Sequence, residues 1–207
     1  MSTLWKVSTR NLWLAYRVGM TIRRGRGWAA IGALAVALTT LSGCGTDTPV
    51  EIPTQQPTST PIFASDEEAL AGAQSAYAAY QNAVDEILMD GGAQPERLRE
   101  YVTPALYDQE AVGFEQIAAD GFHQVGRTFF DSLQLQSYDP SAQDGVAGLV
   151  VYLCSDVSET DIKDSAGKSV VPEGGTDRTP FQVTFDMVDA RYLPATRTVW
   201  TGANFCV

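Results

Sequence analysis

Few residues in this chain carry reactive chemistry: three cysteines (Cys44, Cys154 and Cys206), one histidine (His123) and a dense acidic stretch. His123 follows Phe122 at the start of a β-like run. A catalytic histidine needs a nucleophile or carboxylate in reach. No Gly-x-Ser-x-Gly turn is present, neither Cys154 nor Cys206 is set as a nucleophile, and His123 reads as a surface or domain-mouth residue. Gly167-Lys168-Ser169 is similar to the end of a phosphate loop, but Ile162 stands where the first glycine is required, so a hairpin turn is expected. Asp156, Glu159, Asp161 and Asp164 lack the Asp-x-Asp-x-Asp-Gly spacing of a calcium loop and read as a solvated acidic edge. With one histidine to join them, Cys154 and Cys206 lack the ligands for tetrahedral zinc. In an exported chain they are expected to form a disulfide. No metal and no cofactor is expected.

Cys44 belongs to different chemistry. Arg23, Arg24 and Arg26 precede an uncharged stretch from Trp28 to Leu41 made almost wholly of Ala, Leu, Val, Ile, Gly and Thr. It is shorter than the roughly 20 apolar residues that span a bilayer. A basic start, a short apolar run and small residues at its end make a secretory signal. Leu41-Ser42-Gly43-Cys44 then resembles the lipobox of bacterial lipoproteins. That resemblance implies cleavage before Cys44, a diacylglyceryl thioether on its sulfur, palmitate-type acylation, and anchorage at the extracytoplasmic face of the cell membrane. Residues 1–43 are thus read as a signal peptide. Met20 is an alternative start, which would make residues 1–19 a translated upstream region.

Six of the 14 basic residues precede Cys44 and all 25 acidic residues follow it, so the mature chain carries a formal charge of −17. Nucleic-acid binding depends on Lys and Arg and is excluded as an expectation. The length beyond the tether fits one domain. Residues 44–64 hold the lipidated cysteine and a Pro/Thr/Ser-rich linker, with Pro49, Pro53, Pro57 and Pro61. Fully extended, it would reach about 60 Å at roughly 3.1 Å per residue.

The domain is read over 65–207. Ser65 and Glu68 form a capping box. Leu70, Ala73, Tyr77, Tyr80, Val84, Ile87 and Leu88 follow at helical spacing until Gly91-Gly92. A short helix is expected from Pro95 to Val102. Thr103-Pro104 opens another, carrying Leu106, Phe114, Ile117 and Ala118 and ending at Gly121. The period then changes to alternation. Phe122 to Tyr138 predicts one long strand with Val125, Phe129, Leu133 and Leu135 on one side and a bulge near Phe130. Val146 to Val157 predicts a central strand, and Asp164 to Gly167 a hairpin tip. Phe181, Val183, Phe185 and Met187 mark a half-buried strand. A last strand is expected from about Ala195 to Cys206, so that the disulfide would tie a central strand to the C-terminal one.

Helices followed by a bent antiparallel sheet make an α+β order. The chain resembles the nuclear transport factor 2-like (NTF2-like, cystatin-like cone) superfamily. More narrowly, it resembles a group of actinobacterial lipoproteins whose function is unassigned. The residues that carry this are Ala76-Tyr77-Ala78-Ala79-Tyr80, Tyr101-Val102-Thr103-Pro104, Val151 to Val157 and Trp200 to Cys206. The resemblance implies a cone in which a strongly curved sheet wraps the N-terminal helix. Tyr77, Tyr80, Phe129, Phe185 and Trp200 are its candidate lining residues. The same fold hosts ketosteroid isomerase, which pairs a carboxylate base with a tyrosine and a protonated aspartate. Here Tyr77, Tyr80 or Tyr101 with Asp131 would be the corresponding groups, but no motif aligns with that enzyme's site and no catalytic residue is assigned. The favoured expectation is a non-catalytic interaction or scaffold domain that meets an envelope protein or a second copy. The alternative is a module holding an apolar ligand in the cone. A filled interior would favour the first, an apolar pocket with convergent polar groups the second.

Overall fold

The computed structural model describes residues 62–142 and 147–206. The expected signal peptide, the expected lipobox residues Leu41, Ser42, Gly43 and Cys44, and most of the expected linker lie outside them. Helix α1 spans Asp66–Met89, with the Ser65 Oγ accepting from the Glu68 amide at 3.3 Å. The Glu68 carboxylate in turn accepts from the Ala64 amide at 2.8 Å, a reciprocal pair that fixes the chain's entry into the helix. A 3₁₀ helix covers Pro95–Glu100, shorter than the helix expected to Val102. Helix α2 spans Pro104–Asp120, capped by Thr103 and closed by Gly121 at φ 68°, a conformation glycine adopts without strain.

Six strands follow: β1 (His123–Val125), β2 (Phe129–Tyr138), β3 (Ala147–Asp156), β4 (Asp161–Lys163), β5 (Arg178–Val188) and β6 (Arg191–Val199). They form an antiparallel four-stranded sheet in the order β2-β3-β5-β6 and a separate β1-β4 pair. The expected long strand from Phe122 is therefore two. Gly126 breaks it at φ 83°, where a Cβ would run into the backbone carbonyl of Glu159. The bulge expected near Phe130 falls between Asp131 and Gln134, with Ser132 at φ 54°. A second shift lies between Leu135 and Ser137, and further ones in the β3–β5 and β5–β6 pairings. Such extra residues bend a strand and raise its twist, which curves the sheet around α1. The result is an α+β cone, with the helices packed on a curved antiparallel sheet.

The interior is filled by α1 and the inward residues of the central strands. Tyr77, Ile87, Leu149, Val151, Leu153, Val183 and Phe185 have no exposed surface. Burying each large apolar side chain is worth about 1.5–3 kcal/mol, so this stripe holds the helix to the sheet. Ahead of the helix, the Phe63 ring stacks on Tyr192 at 5.5 Å and meets Tyr138 edge-on at 6.0 Å. The Tyr138 hydroxyl accepts from the Phe63 amide at 3.2 Å and donates to the Phe63 carbonyl at 3.1 Å. Phe63 lies over Gly72, whose missing side chain leaves room for the ring. Phe63, two residues ahead of the expected boundary at residue 65, is thus packed on the domain.

Beyond β6 the chain leaves the sheet edge and returns across the outer face. The Trp200 amide donates to the Pro180 carbonyl at 2.9 Å. Its indole packs on Tyr152 at 4.8 Å, and Phe205 follows at 6.1 Å. Cys154 and Cys206 form the expected disulfide, with Cα atoms 5.5 Å apart. Cys206, however, lies past the end of β6, so the bridge fastens a strap and not a terminal strand to β3.

Candidate functional site

The structure separates the candidate lining residues. Tyr77, Tyr80 and Phe185 are inside the cone, as expected. Trp200 is not: it sits on Tyr152, whose side chain faces away from its inward neighbours Val151 and Leu153. Phe129 is also outside, 53% exposed at the start of β2. Adjacent strand residues point to opposite faces, and Phe130 takes the inward position, edge-on to Tyr77 at 4.8 Å.

Inside the cone, helix and sheet meet through charged and phenolic groups that periodicity alone conceals. The Tyr77 hydroxyl accepts from Arg197 Nε at 3.0 Å, and the Tyr80 hydroxyl donates to the Glu110 carboxylate at 3.0 Å. The Arg197 guanidinium lies 3.5 Å from the centroid of the Phe181 ring, a cation–π contact. Burial pushes the Tyr77 phenol above its ordinary range, partly opposed by Arg197. The phenol therefore stays protonated at neutral pH. These four side chains join α1, α2 and β6. Glu110 stands on the Leu106–Phe114 stripe of α2, and Arg197 shares its strand face with Val199. Both spacings were legible, but charge at a core position signals burial only once its partner is known.

Asp131, considered with the tyrosines for acid–base chemistry, does not join them. It is held by a two-pronged contact from Arg178 at 2.7 and 2.9 Å, which together with Ser132 keeps its carboxyl below the usual range. Arg178 also reaches Asp156 at 2.7 Å, linking β2, β3 and β5. His123 is half-buried in β1 opposite Lys163. Among the described residues, no group of three or more His, Cys, Asp or Glu side chains could hold a metal. The Asp164 to Gly167 stretch is a turn, with the Asp164 carboxylate accepting from the Ala166 and Lys168 amides.

A second polar centre organises the β1–β2 connection. Asp85, almost fully buried on α1, accepts from Gln81 at 3.2 Å, from Gln124 at 2.9 Å and from the Thr128 amide at 3.0 Å. Gln124 also donates to the Gly126 carbonyl at 3.1 Å. A buried carboxylate is costly unless its oxygens are satisfied, and here three donors satisfy it, the Thr128 amide and Gln124 tying it to the β1–β2 turn. Beside that turn lies a half-open cleft of about 170 Å³, lined by Ala78, Gln81, Asn82, Arg127, Thr128, Phe129 and Phe130. Sequence reasoning passed over Asp85 and Arg127, since neither belongs to a chemical motif.

No protein-family model matches the chain, and no curated protein matches it. Among solved structures, the intermembrane space region of chloroplast protein ARC6 is similar at 13% identity and a TM-score of 0.44, covering 63% of this chain and 95% of that one. Aln2 from a Streptomyces species is similar at 14% identity and a TM-score of 0.42, covering 65% and 90%. A chain titled Rd1NTF2 covers 62% and 99%, at 14% identity and a TM-score of 0.34. The likeness is one of fold. At these values it carries no functional argument, and any function rests on the residues described above.

Proposed function

We propose that this chain is a lipoprotein tethered through Cys44 to the extracytoplasmic face of the cell membrane, with its cone domain acting as a non-catalytic interaction or scaffold module. The observation that carries the interaction reading is the filled interior. Tyr77, Tyr80 and Phe185, with the Arg197 and Glu110 side chains bound to the two phenols, occupy the space a cone-bound ligand would take. Contact with a partner then falls to the outer surface. Part of that surface, on β3, is taken by the chain's own strap.

The tether reading rests on Leu41-Ser42-Gly43-Cys44 at the end of an apolar run. Expression of the wild type and Cys44→Ala with labelled palmitate tests it. Wild type should fractionate with membranes and take up label, and the variant should do neither. Retained labelling in the variant would defeat the lipoprotein reading. Native mass spectrometry separates scaffold from ligand binder, because a reproducible bound small-molecule mass would favour the latter.

A further inference from the structure

The buried Asp85 has no part in any chemistry described so far, yet it holds both ends of the turn from Gly126 to Thr128, accepting directly from the Thr128 amide and from Gln124, which also donates to the Gly126 carbonyl. What this rigid turn displays is unusual for the surface of so acidic a chain. Val125 and Phe129, before and after it, are 44% and 53% exposed. Between them Arg127 is exposed and, among the described residues, makes no ion pair or hydrogen bond. Arg97 pairs with Asp90, Lys163 with Asp161, and Arg178 with Asp131 and Asp156, while Lys168 and Arg191 are exposed and, among the described residues, in no ion pair, but neither lines the cleft.

We infer that the turn and its cleft form a pre-organised docking surface for an acidic segment of a partner protein, one carrying an aliphatic side chain beside a carboxylate. The inference builds on the interaction reading above and names its surface. Ligand pockets for whole small molecules run to about 300–1,000 Å³. The cleft of about 170 Å³ accommodates one side chain instead. Its walls divide by chemistry: Ala78, Phe129 and Phe130 are apolar, while Asn82, Thr128 and Arg127 supply polar groups along the rim. An aliphatic group seated against Phe129 brings a neighbouring carboxylate within reach of the Arg127 guanidinium, a charge-assisted contact. Among the described residues Arg127 is the one charged residue that lines the cleft, so it sets the register of a carboxylate-bearing segment. Holding the turn in place before binding removes an ordering cost from association.

The probe is a fluorescein-labelled peptide of sequence Gly-Leu-Asp-Glu-Leu-Gly, read by anisotropy against the full chain in detergent micelles. Its Asn/Gln counterpart is the control. Binding of the acidic peptide is expected to weaken at least about tenfold in Arg127→Glu and in Phe129→Ala, and to fall as salt screens the contact. Arg191→Glu, an exposed cation at the β5–β6 turn, should leave it unchanged. Equal binding of the two peptides, equal loss in Arg191→Glu, or no binding at all would overturn the inference. Both test positions are exposed, and thermal melts of each variant check that the fold is kept. Photo-crosslinking in cells from position 129 and from the exposed position 112 keeps the two proposals apart. Partner capture at 112 but not 129 would overturn this surface and leave the interaction reading standing. Capture at neither would count against both.

Discussion

Tyr77 and Arg197, 120 residues apart in sequence, meet at 3.0 Å between the middle of α1 and the edge strand β6. Burial raises the phenol's pKa, and the sign of the consequence is fixed. Above the ordinary tyrosine value of 10.0 the unfolded chain loses this proton while the folded one keeps it. Stability should therefore fall as pH rises past about 10, because the folded state then binds more protons than the unfolded. Urea titrations of wild type and Tyr77→Phe across that range should show a flatter dependence in the variant. At neutral pH the variant should lose about 1 kcal/mol, the net worth of one hydrogen bond.

At the acid end the Arg178 clamp should contribute. The pKa of Asp131 is lowered chiefly by its Arg178 hydrogen bonds, so its contribution is present above the unfolded carboxylate value of 3.8 and is lost as pH falls through the folded one. Arg178→Met should remove that acid-side loss, and fluorescence-monitored acid unfolding would read it.

Reducing the disulfide should release the strap. With a separation of 52 residues between Cys154 and Cys206, chain entropy assigns the bridge about 4 kcal/mol. Cys154→Ser with Cys206→Ser should lower the urea midpoint accordingly and speed proteolysis beyond Val199. Ellman's reagent should find no free thiol at these positions in the denatured, unreduced wild type. Two free thiols there would contradict the bridge.

Gly126→Ala should be among the most damaging single changes. It combines a positive φ with a collision against the Glu159 carbonyl, and neither is relieved by side-chain movement. The measurement is a thermal melt, with a loss of several kcal/mol expected, on the order of other strained backbone positions.

Local signals read well from the sequence. Ser65, Thr103 and Gly121 end or begin helices by chemistry confined to a few residues, and the α1 stripe from Ala73 to Ile87 is a matter of periodicity. Alternation likewise placed Phe181, Val183 and Phe185 inside. What the sequence concealed was set by distant partners. Phe129 and Phe130 are equivalent by type, and Tyr77 decides which faces inward. Trp200 joins the outer face because β6 ends at Val199 and the backbone turns back, with Gly202 against the indole. Asp85 and Arg127 carry no motif and acquire meaning only when α1 and the β1–β2 turn are adjacent.

The clamp at Phe63 decides how the domain would bear a mechanical load. A pull arriving along the backbone from residue 62 reaches Phe63 before it reaches the first turn of α1. There it meets two hydrogen bonds to the Tyr138 hydroxyl and ring contacts with Tyr138 and Tyr192. Tension is handed to β2 and β6, on opposite edges of the sheet, instead of unwinding the helix. The Ser65 cap and the turn beyond it stay sheltered until that aromatic fastening gives way.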